Sequence, residues 1–84
     1  MSTIHWTPKA AKQLRKLDRQ NQVTVRDGVE ALSEMPKAQN VKALVNHQYG
    51  YRLRVGNYRV MFEWDGGVRI VEIQEVRKRD ERTY

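Results

Sequence analysis

Two alternating runs, Tyr51-Arg-Leu-Arg-Val55 and Tyr58-Arg-Val-Met-Phe62, are separated by only two residues, Gly56-Asn57. A Gly/Asn pair at that spacing is one of the strongest short-range signals for a β-hairpin, and a two-residue turn leaves a single register. Val55 then pairs with Tyr58, Arg54 with Arg59, Leu53 with Val60, Arg52 with Met61 and Tyr51 with Phe62. Because strand side chains alternate, Tyr51, Leu53, Val55, Tyr58, Val60 and Phe62 share one face. Arg52, Arg54, Arg59 and Met61 share the other. Like charges directly opposite each other destabilise a sheet, so Arg54 across from Arg59 calls for a compensating anion, and a phosphate fits. The alternative is a salt-bridged surface on which Glu63 and Glu72 neutralise the three arginines.

The rest of the chain supplies what such a hairpin needs to bury its apolar face. Thr3 to Trp6 reads as a short first strand. Thr7 is a good N-cap and Pro8 suits the first helical position, where a missing N–H costs nothing. Ala10, Leu14 and Leu17 follow at helical spacing to about Asp18 or Arg19, with Lys9, Lys12, Arg15, Lys16 and Arg19 on other faces. A second helical segment runs from about Gln22 to Met35, its stripe formed by Val25, Val29 and Leu32, and Pro36 stops it. Gly28 within that helix costs about 1 kcal/mol relative to alanine, which points to close packing against the first helix or the sheet. Pro36 to Gly50 reads as a loop or single turn anchored by Val41 and Leu44. Asp65-Gly66-Gly67 marks a second tight turn, and Val68 to Val76 reads as a third meander strand, with Val71 and Ile73 on the apolar face and Glu72 and Gln74 on the arginine face.

That order predicts an α+β domain, β-α-α-β-β-β, in which an N-terminal helical hairpin packs on one face of a small, mainly antiparallel sheet. The arginine face is expected to stay open, as a shallow basic concavity closed at one edge by the C-terminal tail. Eighty-four residues make one domain, 1–84, with room for one core. The absence of cysteine excludes a disulfide framework or thiolate zinc site, and no apolar run approaches the ~18 residues of a membrane span. With no signal-peptide pattern at the N-terminus, the expectation is a soluble, cytoplasmic protein. A net charge of +6 makes nucleic acid or an acidic protein the expected partner. His5 and His47, the two histidines, have no companions that suggest a metal site or a nucleophilic triad, and both read as structural or surface residues. Trp6 reads as core, Trp64 as cover for the sheet edge.

Nearly the whole chain resembles the RelE/ParE superfamily of bacterial type II toxins. The likeness is carried by Trp6-Thr-Pro with the Ala/Lys/Leu helix to Leu17, the helix ending at Pro36, Val41-Lys-Ala-Leu44, Tyr51-Arg-Leu-Arg-Val-Gly-Asn-Tyr-Arg-Val60, and Val76-Arg-Lys-Arg79 followed by Tyr84. The basic C-terminal cluster and its tyrosine resemble the RelE-like branch, whose members cut mRNA in the ribosomal A site without a metal or other cofactor. By that resemblance Arg52 and Arg54 contact the scissile phosphate and its neighbours, Arg59 stabilises negative charge on the phosphate, Arg79 matches the catalytic arginine after the last strand, and Tyr84 stacks on and orients the nucleotide. Arg77, Lys78 and Arg82 would add substrate contacts. The resemblance further implies an acidic antitoxin partner in a toxin–antitoxin hetero-oligomer, and the ribosome as target. Relatives with lysine at the first two positions can use it for proton transfer, whereas a guanidinium stays protonated and makes a poor base. Two alternatives remain: a ParE-like inhibitor of DNA gyrase, and a catalytically weak member that only binds nucleic acid or antitoxin.

Overall fold

A computed structural model describes residues 2–78. Five strands form one sheet in the order β1-β5-β4-β3-β2, comprising β1 (Thr3–Trp6), β2 (Val41–Ala43), β3 (Tyr51–Val55), β4 (Tyr58–Asp65) and β5 (Ile70–Lys78). β1 runs parallel to β5; every other pairing is antiparallel. Helices α1 (Pro8–Arg15) and α2 (Arg19–Glu30), the second prolonged by a 3-10 turn at Ala31–Glu34, cover one face. This is the expected α+β class and layering, with one strand more than expected.

The hairpin has the expected register, residue for residue, from Val55↔Tyr58 to Tyr51↔Phe62. Gly56 takes φ +54 at the first turn position, a conformation that glycine adopts without steric cost. Its apolar face meets Val25, Val29 and Leu32 of the helical layer, together with Ala10, Val71, Ile73 and Val76, in a single core. Ile4, Trp6 and Trp64 pack against that core from its margins.

The helix boundaries differ from expectation for a local reason. Thr7 caps α1 as expected, its Oγ1 accepting from Ala10 N–H at 3.2 Å. Asp18, expected near the end of α1, instead caps α2: it is extended at ψ 164 and accepts from Asn21 N–H at 2.9 Å. A short carboxylate stabilises a helix more by taking up free N–H groups at its start than by sitting in its last turn. Gln22 then donates to the carbonyls of Arg15 and Leu17, closing the end of α1. Gly28 has the role its cost implied, since a Cβ there would lie 2.7 Å from Val55 Cγ2 and 3.0 Å from Cγ1.

Two further differences shape the opposite face. Val41–Ala43, expected within a loop or single turn, is an edge strand paired with Leu53, Arg52 and Tyr51. Its ends are held by Arg54 N–H donating to Asn40 carbonyl and Leu44 N–H donating to Gly50 carbonyl. The connection from β4 to β5 is also longer than a tight turn, closing at Asp65↔Ile70, with Asp65 Oδ1 accepting from the N–H groups of Gly67 and Val68. Beyond it lies a β-bulge. Phe62 pairs with Ile73 but Met61 pairs with Glu75, so Gln74 is the extra residue. Unbroken alternation would aim Glu75 and Arg77 at the core; the bulge returns Val76 to the core and turns Glu75 and Arg77 to the arginine side.

Candidate functional site

The side of the sheet away from the helices reads as three rows across the strands. Nearest the hairpin turn, Arg54, Arg59 and Arg77 lie side by side on β3, β4 and β5. The next row is Lys42, Arg52, Met61 and Glu75. Further along, Glu63 faces Glu72, and His5 of β1 stands beside Glu72. The face is therefore basic at the hairpin end and acidic at the other.

Each described carboxylate on this face is committed away from Arg52, Arg54 and Arg59. Glu63 Oε2 accepts from Gly50 N–H at 2.9 Å. Glu72 Oε1 accepts from Gln74 Nε2 at 2.6 Å, and its Oε2 lies 3.8 Å from His5 Nδ1. Glu75 accepts both Nε and Nη2 of Arg77, at 2.8 and 3.0 Å, with Lys9 Nζ 3.4 Å away. Among the described residues, the expectation that Glu63 and Glu72 neutralise the three arginines is not met. Arg54 and Arg59 are exposed, and Arg52 is half-buried with its Nε enclosed and without a hydrogen-bond acceptor. Concentrated, uncompensated guanidinium groups bind phosphate through forked, charge-assisted hydrogen bonds.

The face is less open than expected. The loop from Leu44 to Gly50 folds over its middle and places Tyr49 there, 8% exposed, its hydroxyl donating to Glu75 Oε2 at 2.5 Å. His47 Nδ1 accepts from Tyr49 N–H and so fixes the loop. Met61 and Glu75 in that row are each only 4% exposed. The Arg77 fork is the main cause holding the Glu75 carboxyl down to about 2; the Tyr49 hydroxyl and Lys9 add to it, against the opposing effect of burial. The same hydrogen bond to Glu75, with burial, pushes the Tyr49 hydroxyl above its usual range, so it remains a donor.

Lys9 reaches this cluster because of how α1 meets the sheet. β1 pairs only with Ile70 to Ile73, leaving the edge of β5 beyond that point without a strand partner. α1 takes that place. Thr7 donates through both N–H and Oγ1 to Ile73 carbonyl, and Gln13 Oε1 accepts from Val76 N–H at 2.7 Å. Lys9 thus stands at the border between the two faces.

Of the residues expected to act, Arg52, Arg54, Arg59 and Arg77 come together. Lys78 does not: it pairs with Tyr58, a core-face residue, and lines a shallow cavity with Asn21 and Thr24 on the α2 side. Arg79, Arg82 and Tyr84 lie outside the described residues. Lys42, Tyr49 and Glu75 were not expected on this face. The consecutive polar pair Gln74-Glu75 between Ile73 and Val76 breaks strict alternation, and is the sequence mark of the bulge.

The family model for the ParE toxin of the type II toxin–antitoxin system, parDE, matches residues 4–83. No curated protein sequence matches the chain. Among solved structures, the toxin–antitoxin complex RelBE2 from Mycobacterium tuberculosis aligns with a TM-score of 0.80 and 26% identity over 93% of this chain and 98% of that one. The isolated Escherichia coli RelE toxin aligns with a TM-score of 0.80 at 16% identity, covering 99% of this chain and 89% of that one. The RelE–RelB complex from Pyrococcus horikoshii OT3 gives 0.78 at 19% identity over 95% and 97%. The last two are alike in fold alone. With a toxin-family model spanning nearly its whole length and the two-helix, five-stranded architecture to match, the chain belongs to the RelE/ParE superfamily of type II toxin–antitoxin toxins.

Proposed function

We propose that the chain is a ribosome-dependent endoribonuclease that cleaves mRNA in the A site without a metal. The observation that carries this reading is the set Arg52, Arg54 and Arg59, gathered on one face while, among the described residues, each carboxylate on that face is engaged elsewhere. RNA carries its own nucleophile. The 2′-oxygen attacks the adjacent phosphorus, the bond to the 5′-oxygen breaks, and a 2′,3′-cyclic phosphate and a 5′-hydroxyl result. One proton leaves the 2′-hydroxyl and one reaches the departing oxygen. Convergent guanidinium groups stabilise the added negative charge of the phosphorane-like transition state, and orientation supplies much of the rest. The arginines are poor bases, so geometry imposed by rRNA and codon would carry an unusually large share.

A second reading, a ParE-like inhibitor of DNA gyrase that acts by binding, is favoured by the family whose model matches. Purified protein added to programmed ribosomes, with message 3′ ends mapped, tests the first; a gyrase supercoiling assay run beside it tests the second. Cleavage only in the presence of ribosomes is the expected result. Intact message together with inhibited supercoiling would replace the first reading by the second. The relatives crystallised as toxin–antitoxin complexes support an antitoxin as the stable partner, and the net charge of +6 supports an acidic one.

A further inference from the structure

The bulge at Gln74 puts a buried carboxylate next to the row of arginines at the basic end of this face, and a charge so buried is costly unless all its acceptors are used. Glu75 satisfies that condition. Tyr49 hydroxyl and Lys9 hold one oxygen from the loop and from α1, while Arg77 Nε takes the other and Nη2 closes the fork. Three separate elements, the Leu44–Gly50 loop, α1 and β5, are thereby tied to one carboxyl group. Arg77 itself stays half in solvent, its side chain 49% exposed. The fork uses Nε and one hydrogen of Nη2, leaving Nη1 and the remaining Nη2 hydrogen available to another acceptor.

We propose that Glu75 is a positioning residue of the arginine face, holding the Arg77 guanidinium beside Arg59 so that its unused edge is presented to an RNA phosphate. The inference rests on the nuclease reading above. An unheld arginine next to Arg59 would swing away, since like charges in adjacent strand positions repel and a long side chain gains rotamer freedom in solvent. Glu75 acts through Arg77 and does not touch the phosphate, so its effect vanishes when Arg77 is absent.

The test is a double-mutant cycle on ribosome-dependent cleavage under single-turnover conditions, with Glu75→Gln, Arg77→Ala and the double variant, each checked for its melting temperature. Glu75→Gln keeps the shape and the Tyr49 contact but loses the charge-assisted fork, and should slow cleavage about tenfold in the parent and less than about twofold in Arg77→Ala. A spectroscopic readout accompanies it. The Arg77 Nε–H signal in ¹⁵N NMR should be protected from exchange in the parent, lose that protection in Glu75→Gln, and shift when a short oligoribonucleotide is titrated in. Equal slowing by Glu75→Gln with and without Arg77, or no slowing at all in a folded variant, overturns the proposal while leaving the nuclease reading intact. A parent that does not cleave on ribosomes overturns both. Should Glu75→Gln fail to fold, Arg77→Lys tests the same link, because lysine keeps the charge against Glu75 without the fork. Parent-level cleavage by that variant overturns the proposal, and loss comparable to Arg77→Ala supports it.

Discussion

Arg54 and Arg59 are direct cross-strand partners on the β3–β4 ladder, and among the described residues no carboxylate is paired with either. Their mutual repulsion works against the hairpin, while the Gly56-Asn57 turn and the buried opposite face hold the pairing in place.

Replacing Arg59 by alanine should therefore leave stability equal to the parent or slightly higher, within about 0.5 kcal/mol, because it relieves repulsion at an exposed site. Cleavage should slow about 10²- to 10³-fold, the loss typical of removing one donor to a developing oxyanion. Thermal melting and single-turnover cleavage of the same preparation check both halves. Unchanged cleavage by a folded Arg59→Ala would remove this face from the chemistry.

Binding to RNA should weaken steeply with salt. Three phosphate contacts from Arg52, Arg54 and Arg59 correspond to a slope of log K against log salt of about −2, and Arg59→Ala should flatten it by about 0.7, using the single-strand value of roughly 0.7 per contact. Fluorescence anisotropy with an oligoribonucleotide at several ionic strengths measures this, and a flat parent profile would argue for a protein target.

Glu75 gives the protein a defined acid response. Its carboxyl is held at about 2 when folded, against an ordinary value of 4.5. A depressed folded value means that the unfolded chain takes up the proton first, so the stabilisation is fully present above about pH 5 and is lost as pH falls from there through about 2. Glu75→Gln should remove this part of the dependence. Denaturant titrations from pH 6 to pH 2 should show the parent losing stability more steeply than the variant, and parallel curves would contradict the assignment.

Gly28→Ala should destabilise by up to about 2 kcal/mol: the gain in helix propensity is about 1, but a Cβ within 2.7 Å of the branched, strand-anchored Val55 side chain imposes overpacking of about 1–3. Adding Val55→Ala should recover part of the loss, as measured by urea unfolding. A Gly28→Ala protein more stable than its parent would show that α2 can move off the hairpin.

Co-expression with a cognate antitoxin should yield a complex stable to purification. Charge reversal of acidic residues in the antitoxin segment that covers Arg54 and Arg59 should weaken it mainly through a slower, less salt-dependent association rate. Surface plasmon resonance at two ionic strengths separates that outcome from one in which only dissociation changes.

Features whose chemistry is local were legible in the chain. A Gly-Asn pair between alternating strands can close in only one register, so the apolar face and the grouping of Arg52, Arg54 and Arg59 followed from twelve consecutive residues. Thr7-Pro8 started α1, and Gly28 announced a close approach. Features that depend on distant partners emerged only once the chain was folded. β2 has only three residues, and its hydrogen bonds come from β3, so no periodicity within it could outweigh the turn-like residues around it. The left-handed Asn40 and Asn46 that flank it are a signal only once the pairing is known. The bulge at Gln74 was settled by β4, which accepts Phe62 opposite Ile73 and Val60 opposite Val76 and forces one residue out between them. That single insertion moved Glu75 and Arg77 to the arginine side, where Tyr49 from the loop and Lys9 from α1 could meet them. Alternation along a strand is a property of its own backbone, but a break in it is chosen by whichever register buries the most apolar surface on the neighbouring strand.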